Sequence, residues 1–289
     1  MKKHAVCILA HKNWAQLDDL IDVLDSQYVD VYLHIDKKRR PDFDNYAETH
    51  DFKRHSNVSI VKSQNVDWGG YFQLLVELLL FKEVLSRKDE YSYVHLISGQ
   101  DFPLMPMSQI VKECEATKVD YLGFITGDNK NRYVRRLKYR HIWVEMVRTS
   151  RFCSFLRKAF LVLQMLLGVN RLKHCPLTFE VGPNWMSITI ESLKYIVDEY
   201  PKYEKYFKHG ISAEECYKQM ILKTRESAHI ENCSKRYVVF KNMKPSPEIL
   251  TIEMLDDIMK SEAFFARKFD DEVDKSIRLA IKNRLGRNV

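Results

Sequence analysis

Short apolar runs with strand character alternate with amphipathic, helix-like stretches through the first third of this 289-residue chain. The pattern predicts strands over residues 6–10, 29–35, 58–61 and 93–98, and helices over residues 14–25 and 72–85. Later in the chain it predicts a strand over residues 120–125, a short strand before Ile190 and a helix from Ile190 onward. Alternation of this kind is typical of parallel strands that are connected by helices. We therefore predict an α/β fold with a mostly parallel, doubly wound sheet flanked by helices.

The composition indicates one well-cored globular domain over residues 1–289. Hydrophobic residues make up 45% of the chain, with only 9 Gly and 8 Pro and no low-complexity tract. The six cysteines show no paired spacing, so the sequence indicates neither a disulfide framework nor a zinc site. We expect reduced thiols, as in the cytoplasm.

The net charge of +7 fits an anionic ligand, an anionic membrane surface or a nucleic acid. Within residues 150–173, basic side chains bracket the apolar run 159–168. Those basic residues are Arg151, Arg157, Lys158, Arg171 and Lys173. A run of this length cannot cross a bilayer, but a helix with basic flanks can lie among the headgroups of an anionic leaflet. A buried core helix or a dimer contact explains the same pattern, and the sequence does not choose between these interpretations.

Polar residues follow the predicted strands where each strand ends. In an open α/β sheet, ligands bind at the carboxyl ends of the strands, so we expect these residues to line one crevice. They are His11 and Lys12, His34 and Asp36, residues 66–70 and residues 98–101. No G-x-G-x-x-G and no P-loop follows any strand, so the sequence favours neither a dinucleotide site nor a Walker-type phosphate site.

Several single residues have both a structural and a functional interpretation. Asp36 is either a cap or a group that accepts a hydrogen bond from a uracil or a ribose. Trp68, before two glycines, is either a hydrophobic anchor or an aromatic face beside a ligand. Trp185 is either a buried aromatic or a stacking platform for a sugar. His95, in mid-strand, is interpreted as a satisfied core histidine.

Two charged segments also have two interpretations. Ser212 as N-cap and Glu215 at N3 form the pattern of a capping box before the helical run 216–222, yet a carboxylate at that position is also suited to act as a general base. Arg267 and Lys268 are either a basic pair at a helix start, paired with Asp270 or Asp274, or fixed cations for a phosphate.

Aromatic and basic residues are interleaved over residues 132–140. Such a segment binds either a glycan or a nucleic acid. No nucleic-acid-binding motif accompanies it, so we expect no nucleic-acid partner.

Eight blocks of the chain, in order, resemble the core-2/I-branching glycosyltransferase family, which includes the peptide O-xylosyltransferases. The resemblance covers residues 5 to about 280, and the chain resembles the short bacterial members in size. The blocks are ILAHKN at 8–13, YLHIDKK at 32–38, VDWGG at 66–70, YVHLISGQDFPL at 93–104, GPNWMSIT at 182–189, AEECYKQMIL at 213–222, KRYVVF at 235–240 and FFARKFDDEVD at 264–274.

The resemblance implies a GT-A-type α/β fold and inverting transfer from a UDP-sugar without a metal ion. Glu215 matches the catalytic base, and Lys268 and Arg236 match residues that bind the donor diphosphate. Of the adjacent Glu214 and Glu215, we assign the base to Glu215 because it precedes the helical run in register. Asp36 matches the uridine-contacting strand end.

The remaining assignments complete the expected site. We expect His11 and Trp68 to contact the donor as well, and Asp101 and Trp185 to contact the acceptor. The donor half comprises about residues 1–105, and the acceptor and catalytic half comprises about residues 106–289. The only Asp-x-Asp, at 42–44, lies in a predicted polar loop, so we expect no metal there.

The sequence therefore predicts a transferase that moves GlcNAc, or a related sugar, from a UDP-sugar to a glycan or lipid-linked glycan. We expect it in the cytoplasm, peripheral at the inner face of the membrane through residues 150–173. A xylosyltransferase is the alternative within the enzyme class. A non-catalytic nucleotide- or glycan-binding protein of the same fold is the alternative of another class.

Overall fold

A seven-stranded mixed sheet with helices on both faces forms the centre of the protein. The computed structural model describes residues 2–24, 27–52, 55, 57–67, 69–142, 144, 151–241 and 246–286. The predicted helix end at Asp25 and the predicted ligand contact Trp68 lie outside these residues.

The strands and helices follow one another along the whole described chain. The strands are β1 (Lys3–Ala10), β2 (Val29–Ile35), β3 (Val58–Ile60), β4 (Tyr91–Ser98), β5 (Asp101–Pro103), β6 (Asp120–Tyr121), β7 (Met186–Thr189), β8 (Ile230–Glu231), β9 (Arg236–Val238) and β10 (Phe265–Arg267). The α-helices are α1 (Trp14–Leu24), α2 (Arg40–Thr49), α3 (Tyr71–Ser86), α4 (Met107–Thr117), α5 (Asp128–Tyr133), α6 (Arg135–Lys138), α7 (Arg151–Leu166), α8 (Ile190–Phe207), α9 (Tyr217–Leu222), α10 (Leu255–Lys260) and α11 (Ser276–Gly286).

The large sheet has the strand order β3-β2-β1-β4-β7-β6-β8. Its first four strands are parallel, and β7 pairs antiparallel with both β4 and β6. A three-stranded sheet, β5-β10-β9, joins the segment after β4 to two strands from the last quarter of the chain. The carboxyl ends of β1, β2 and β4 therefore open at one edge.

Alternation along β1 divides the core into two layers. Val6 and Ile8 pack on one face with α1, α4 and α11, whereas Ala5 and Cys7 pack on the other with α3, α8 and α9. Helices on both faces are what a parallel sheet requires, because both of its faces are apolar.

The predicted α/β fold with a mostly parallel sheet flanked by helices is confirmed. Two local predictions are wrong. The strand predicted over 120–125 ends at Tyr121, because Ile125 then bonds to Val181 outside the sheet. Residues 42–44 lie in helix α2 and not in a polar loop, since Pro41 in the first turn favours the start of a helix there.

His34 gives the fold a dependence on pH. It lies in β2 with 1% of its surface exposed, and its Nε2 accepts a hydrogen bond from the Gln64 N–H at 2.9 Å. Burial lowers the pKa of His34 from 6.5 to about 4. Because the folded protein favours the neutral ring, its contribution is complete above pH 6.5 and is lost as the pH falls towards 4. We expect a loss on the order of 3 kcal/mol in the free energy of unfolding.

Urea unfolding at several pH values between 7.5 and 4 checks this expectation. His34→Gln is the matched variant, because its Oε1 keeps an acceptor near the position of Nε2 but does not titrate. The variant should lose less stability than wild type on acidification. An equal loss in both proteins would assign the pH dependence to other groups.

Candidate active site

Three cations meet where the carboxyl end of β1 approaches the end of β10. Lys12 follows β1, Arg267 ends β10, and Lys268 comes next. The pKa of Lys268 is lowered by burial and then by the positive charges of Lys12 and Arg267. In the described part of the chain, no carboxylate forms an ion pair with Lys268. The negative charges of Asp270 and Asp101 compensate this group only in part, since three cations face two carboxylates, and the remaining positive charge favours an anionic ligand.

Lys12 is held in this group by Asp270. Its Nζ donates to one oxygen of Asp270, and Asn13 Nδ2 donates to the other at 2.7 Å. These bonds lower the pKa of Asp270. They connect the end of β1 with the segment after β10, so Lys12 and Lys268 are held in fixed positions relative to each other.

Arg267 connects the cations to the second half of the site. Its guanidinium lies 4.2 Å above the centre of the Trp185 ring, and its Nε lies 3.4 Å from Asp101 Oδ1. Burial lowers the pKa of Arg267, whereas the negative charges of Asp101 and Glu215 raise it. Arg267 therefore lies against Trp185 and close enough to Glu215 for their charges to interact. Arg267 is in a strand, so the interpretation of a basic pair at a helix start is wrong.

Asp101 is a support for Arg267 and is not open to an acceptor. It is fully buried, and it accepts hydrogen bonds from the Ser98 N–H at 3.1 Å and the Ser98 hydroxyl at 2.8 Å. The assignment of Asp101 to acceptor contact is corrected for this reason, because a buried and fully bonded carboxylate offers no surface to a glycan.

The guanidinium of Arg236 is occupied by protein acceptors. Nη1 donates to Ser187 Oγ at 3.1 Å and to Ser234 O at 2.7 Å, and Nη2 donates to Leu96 O at 3.2 Å and Met186 O at 2.7 Å. Burial lowers its pKa to about 10, and the charge of Arg267 contributes to that lowering. Arg236 therefore links β4, β7 and β9 behind Arg267. The predicted direct contact with a diphosphate is corrected, since its terminal N–H groups point at the protein.

His11 and Asp36 extend the crevice along the ends of β1 and β2. Partial burial lowers the pKa of His11, as do Lys268 and Lys12, while Asp36 raises it. Asp36 Oδ1 accepts a hydrogen bond from the Lys38 N–H at 3.0 Å, which caps the short 3-10 turn Lys37–Arg39. Asp36 is thus a cap that also lies beside the cation group.

Glu215 has an accessible carboxylate that forms an ion pair with Arg136. Its side chain is 34% exposed. The predicted capping box is wrong, because Ser212 makes no cap hydrogen bond and α9 begins only at Tyr217. Ser212 instead takes a left-handed conformation, with φ 49°, and its N–H donates to Gly69 O at 2.9 Å. Glu215 therefore does not cap α9, and its carboxylate is accessible.

Glu214 points the other way, into the protein. It is 4% exposed, and its Oε2 has no hydrogen-bond partner among the described residues. Burial, followed by the charges of Glu215 and Glu77, raises the pKa of Glu214 to about 8. Of the two adjacent glutamates, the accessible one is Glu215.

A buried polar network holds the turn that carries Glu215. Lys218 Nζ donates to Glu77 Oε2 at 2.5 Å, to Asn184 and to the Glu214 carbonyl at 2.9 Å, and both charged side chains are fully shielded. Asn184 and Tyr217 also donate to Glu77, at 2.7 and 3.0 Å. The same network thus fixes the turn before α9 and the loop before Trp185.

Sequence reasoning did not assign Arg136, Glu77 or Lys218. The last two left a signal, because each is a single charge inside an otherwise apolar helical run. A charge in such a run is buried only when it has a partner. His95 was correctly interpreted as a core histidine, since its Nδ1 and Nε2 bond to Ser187 Oγ at 2.8 Å and to His4 Nδ1 at 2.9 Å.

Both aspartates of the Asp-x-Asp segment are paired with arginines. Asp42 pairs with Arg39 at 3.3 Å and Asp44 pairs with Arg40 at 2.7 Å, both on the surface of α2. His11 lies near Asp36 and Lys268, and Arg267 lies between Lys268 and the pair Trp185 and Glu215. Trp68 lies outside the described residues.

Comparison with known proteins gives one strong match. The model of a family described as Core-2/I-Branching enzyme matches residues 8–259. A search of the curated proteins found no match. One similar solved structure is 4-diphosphocytidyl-2C-methyl-D-erythritol synthase from Anaerococcus prevotii DSM 20548, with 12% identity and a TM-score of 0.40 over 89% of this chain and 93% of that chain. A likeness this weak carries no functional argument.

Lys218→Met tests the network that supports the turn before α9. The substitution leaves Glu77 buried without its ammonium partner, so we expect a loss of about 3–5 kcal/mol in the free energy of unfolding. Adding Glu77→Gln removes the unpaired charge and keeps one acceptor oxygen for Asn184, while its amide N–H can donate to the Tyr217 hydroxyl, so the double variant should recover most of the loss. Urea unfolding of the three proteins measures both effects.

The exposed pair Lys194–Asp198 provides the matched control. Lys194→Met should cost less than about 1 kcal/mol, because a surface ion pair contributes little. If Lys218→Met cost no more than Lys194→Met, the buried pair would not hold the turn.

Proposed function

Since this chain belongs to the Core-2/I-Branching enzyme family and is therefore a glycosyltransferase, we propose that it moves a sugar from a UDP-sugar to a hydroxyl of a glycan or lipid-linked glycan. The observation that carries this proposal is the proximity of Arg267 to Trp185 and to the charge of Glu215, with Lys268 next to Arg267. A base and fixed cations are the two things that such a transfer needs.

Glu215 is the proposed general base. Its carboxylate takes the proton from the acceptor hydroxyl while the hydroxyl oxygen attacks the anomeric carbon. The bond from that carbon to the UDP oxygen breaks on the opposite face, so the configuration inverts. A base must lie within about 3 Å of the hydroxyl, which favours the accessible Glu215 over the enclosed Glu214. Trp185, stacked against Arg267, is the proposed sugar platform.

Lys268, Arg267 and Lys12 are proposed to receive the diphosphate. Departure of UDP places negative charge on the β-phosphate, and cations that are already in position stabilise that charge best. We propose that this charge takes the place of a divalent ion, so that transfer is metal-independent. Arg236 adds positive potential near Arg267, and His11 and Asp36, which lie next to the cations, are proposed to contact the uridine end of the donor.

GlcNAc is the proposed sugar, with xylose as the alternative. We also propose that the chain is one domain, with a donor half near residues 1–105 and an acceptor half near residues 106–289. A non-catalytic nucleotide- or glycan-binding protein of the same fold is the second candidate class. An accessible carboxylate beside the cations favours the enzyme, because binding a UDP-sugar alone does not require a base. We propose a cytoplasmic location with peripheral membrane contact.

Glu215→Gln should lower kcat by about 10²- to 10⁴-fold and leave the affinity for UDP unchanged, because the amide keeps the shape but accepts no proton. Initial rates and calorimetric UDP titration measure the two quantities. The exposed Glu226→Gln is the matched control and should retain full activity. Glu214→Gln should retain more activity than Glu215→Gln, and the reverse order would assign the base to Glu214.

Lys268→Ala should weaken UDP binding by roughly 10- to 100-fold, because a charge-assisted contact with the diphosphate is lost. Lys275→Ala, at an exposed position a few residues later, should leave the affinity unchanged. Both titrations are made in EDTA. Equal affinity in the two variants would remove Lys268 from the diphosphate site, and strict dependence of turnover on added Mn²⁺ would contradict the metal-free mechanism.

A further inference from the structure

One face of helix α7 exposes a continuous apolar stripe. Half of the twelve exposed large apolar side chains in the described chain lie on this helix or directly after it. They are Phe152 (67% exposed), Phe155 (66%), Val162 (53%), Leu163 (50%), Leu166 (80%) and Leu167 (70%). Spacings of three and four residues place them on one side of the helix. We call these six residues the α7 face.

The opposite side of α7 is anchored to the body of the protein. Gln164 is 5% exposed, and it accepts from the Arg140 N–H at 2.8 Å and donates to the Arg140 carbonyl at 3.0 Å. Arg171, just beyond the helix, donates to the carbonyls of Lys205 and Lys208. The helix is therefore fixed in place with its apolar side outward.

The segment that carries the α7 face has an excess of positive charge, although Lys130 and Arg136 in it form ion pairs with Glu180 and Glu215. Residues 129–179 contain twelve Lys and Arg but one acidic residue, Glu145. Since the whole chain has a net charge of +7, the excess of positive charge is concentrated in this segment. Lys158 is exposed beside the stripe, and Arg140 and Lys173 are exposed near the ends of the anchored segment.

These observations favour a lipid surface over the other possible occupants. The exposure of the α7 face contradicts the interpretation of α7 as a buried core helix. A symmetric dimer through this face would bring two strongly basic surfaces together, because such an interface uses the same patch twice. No helix among the described residues is long and apolar enough to cross a bilayer. An anionic leaflet offers apolar chains and negative headgroups at once.

We propose that the α7 face docks on an anionic lipid leaflet and holds the Glu215 end of the crevice beside it. Arg171, just after α7, connects the α7 face with Glu215. Its backbone N–H donates to Lys138 O in α6, and α6 also carries Arg136, the partner of Glu215. A site held beside the leaflet would take a lipid-linked glycan as its acceptor, and this part of the proposal rests on the proposed function.

Sedimentation with vesicles tests the docking surface. The vesicles are pure phosphatidylcholine, or phosphatidylcholine with about one third phosphatidylglycerol. Wild type should bind the anionic vesicles, bind the neutral ones poorly, and release at high salt. Leu163→Glu/Leu166→Glu should lower the vesicle partition coefficient by at least about tenfold, because two apolar side chains that would enter the leaflet are replaced by carboxylates.

Val273→Glu/Leu279→Glu is the matched control, because it makes the same change of charge at two exposed apolar positions away from α7. It should bind the vesicles like wild type. Equal binding by both double variants, or no binding by wild type, would overturn the proposal. A wild-type dimer that becomes monomeric in Leu163→Glu/Leu166→Glu without lipid would assign the face to a second copy.

UDP titration of the same proteins in solution separates this proposal from the proposed function. The α7 variant should bind UDP like wild type, because α7 contributes nothing to the cation group. Vesicle binding without UDP binding would overturn the proposed function alone. UDP binding without vesicle binding would overturn the docking surface alone.

Discussion

The candidate site depends on one buried ion pair, that between Lys218 and Glu77. Both side chains are fully shielded, so each charge is tolerated only because the other is present. Lys218 also binds the carbonyl before Glu215, and Glu77 binds Asn184, which precedes Trp185. The proposed base and the aromatic platform are thus positioned by one network that reaches α3 on the same face of the sheet.

The other half of the site has the opposite electrostatic character. Near Glu215 the buried charges of Lys218 and Glu77 form an ion pair, and burial raises the pKa of the adjacent Glu214 to about 8, whereas around Lys268 positive charge accumulates without full compensation. Holding like charges together opposes folding, so such a group indicates a ligand that supplies the missing negative charge. Arg267 connects the cations with Glu215 and Trp185, since the charge of Glu215 raises its pKa and its guanidinium stacks on Trp185. This continuity places proposed donor and acceptor chemistry in a single crevice.

The sequence predicted the parallel strands well because strands that are buried on both faces leave unbroken apolar runs. It also located the strand ends, and hence His11 and Asp36. It failed where distant contacts decide local structure. Ser212 looks like a helix cap, but its bond to Gly69 sets another conformation. Arg267 looks like a helix residue, yet its strand exists only through pairing with β5 and β9.

The measurement that tests the central claim most directly compares UDP with uridine by calorimetric titration of the wild-type protein in EDTA. If the cations of the crevice receive the diphosphate, UDP should bind at least about 100-fold more tightly than uridine, and one UDP-sugar of a panel should bind comparably. Equal affinities for UDP and uridine, or UDP binding that appears only after a divalent ion is added, would contradict the account.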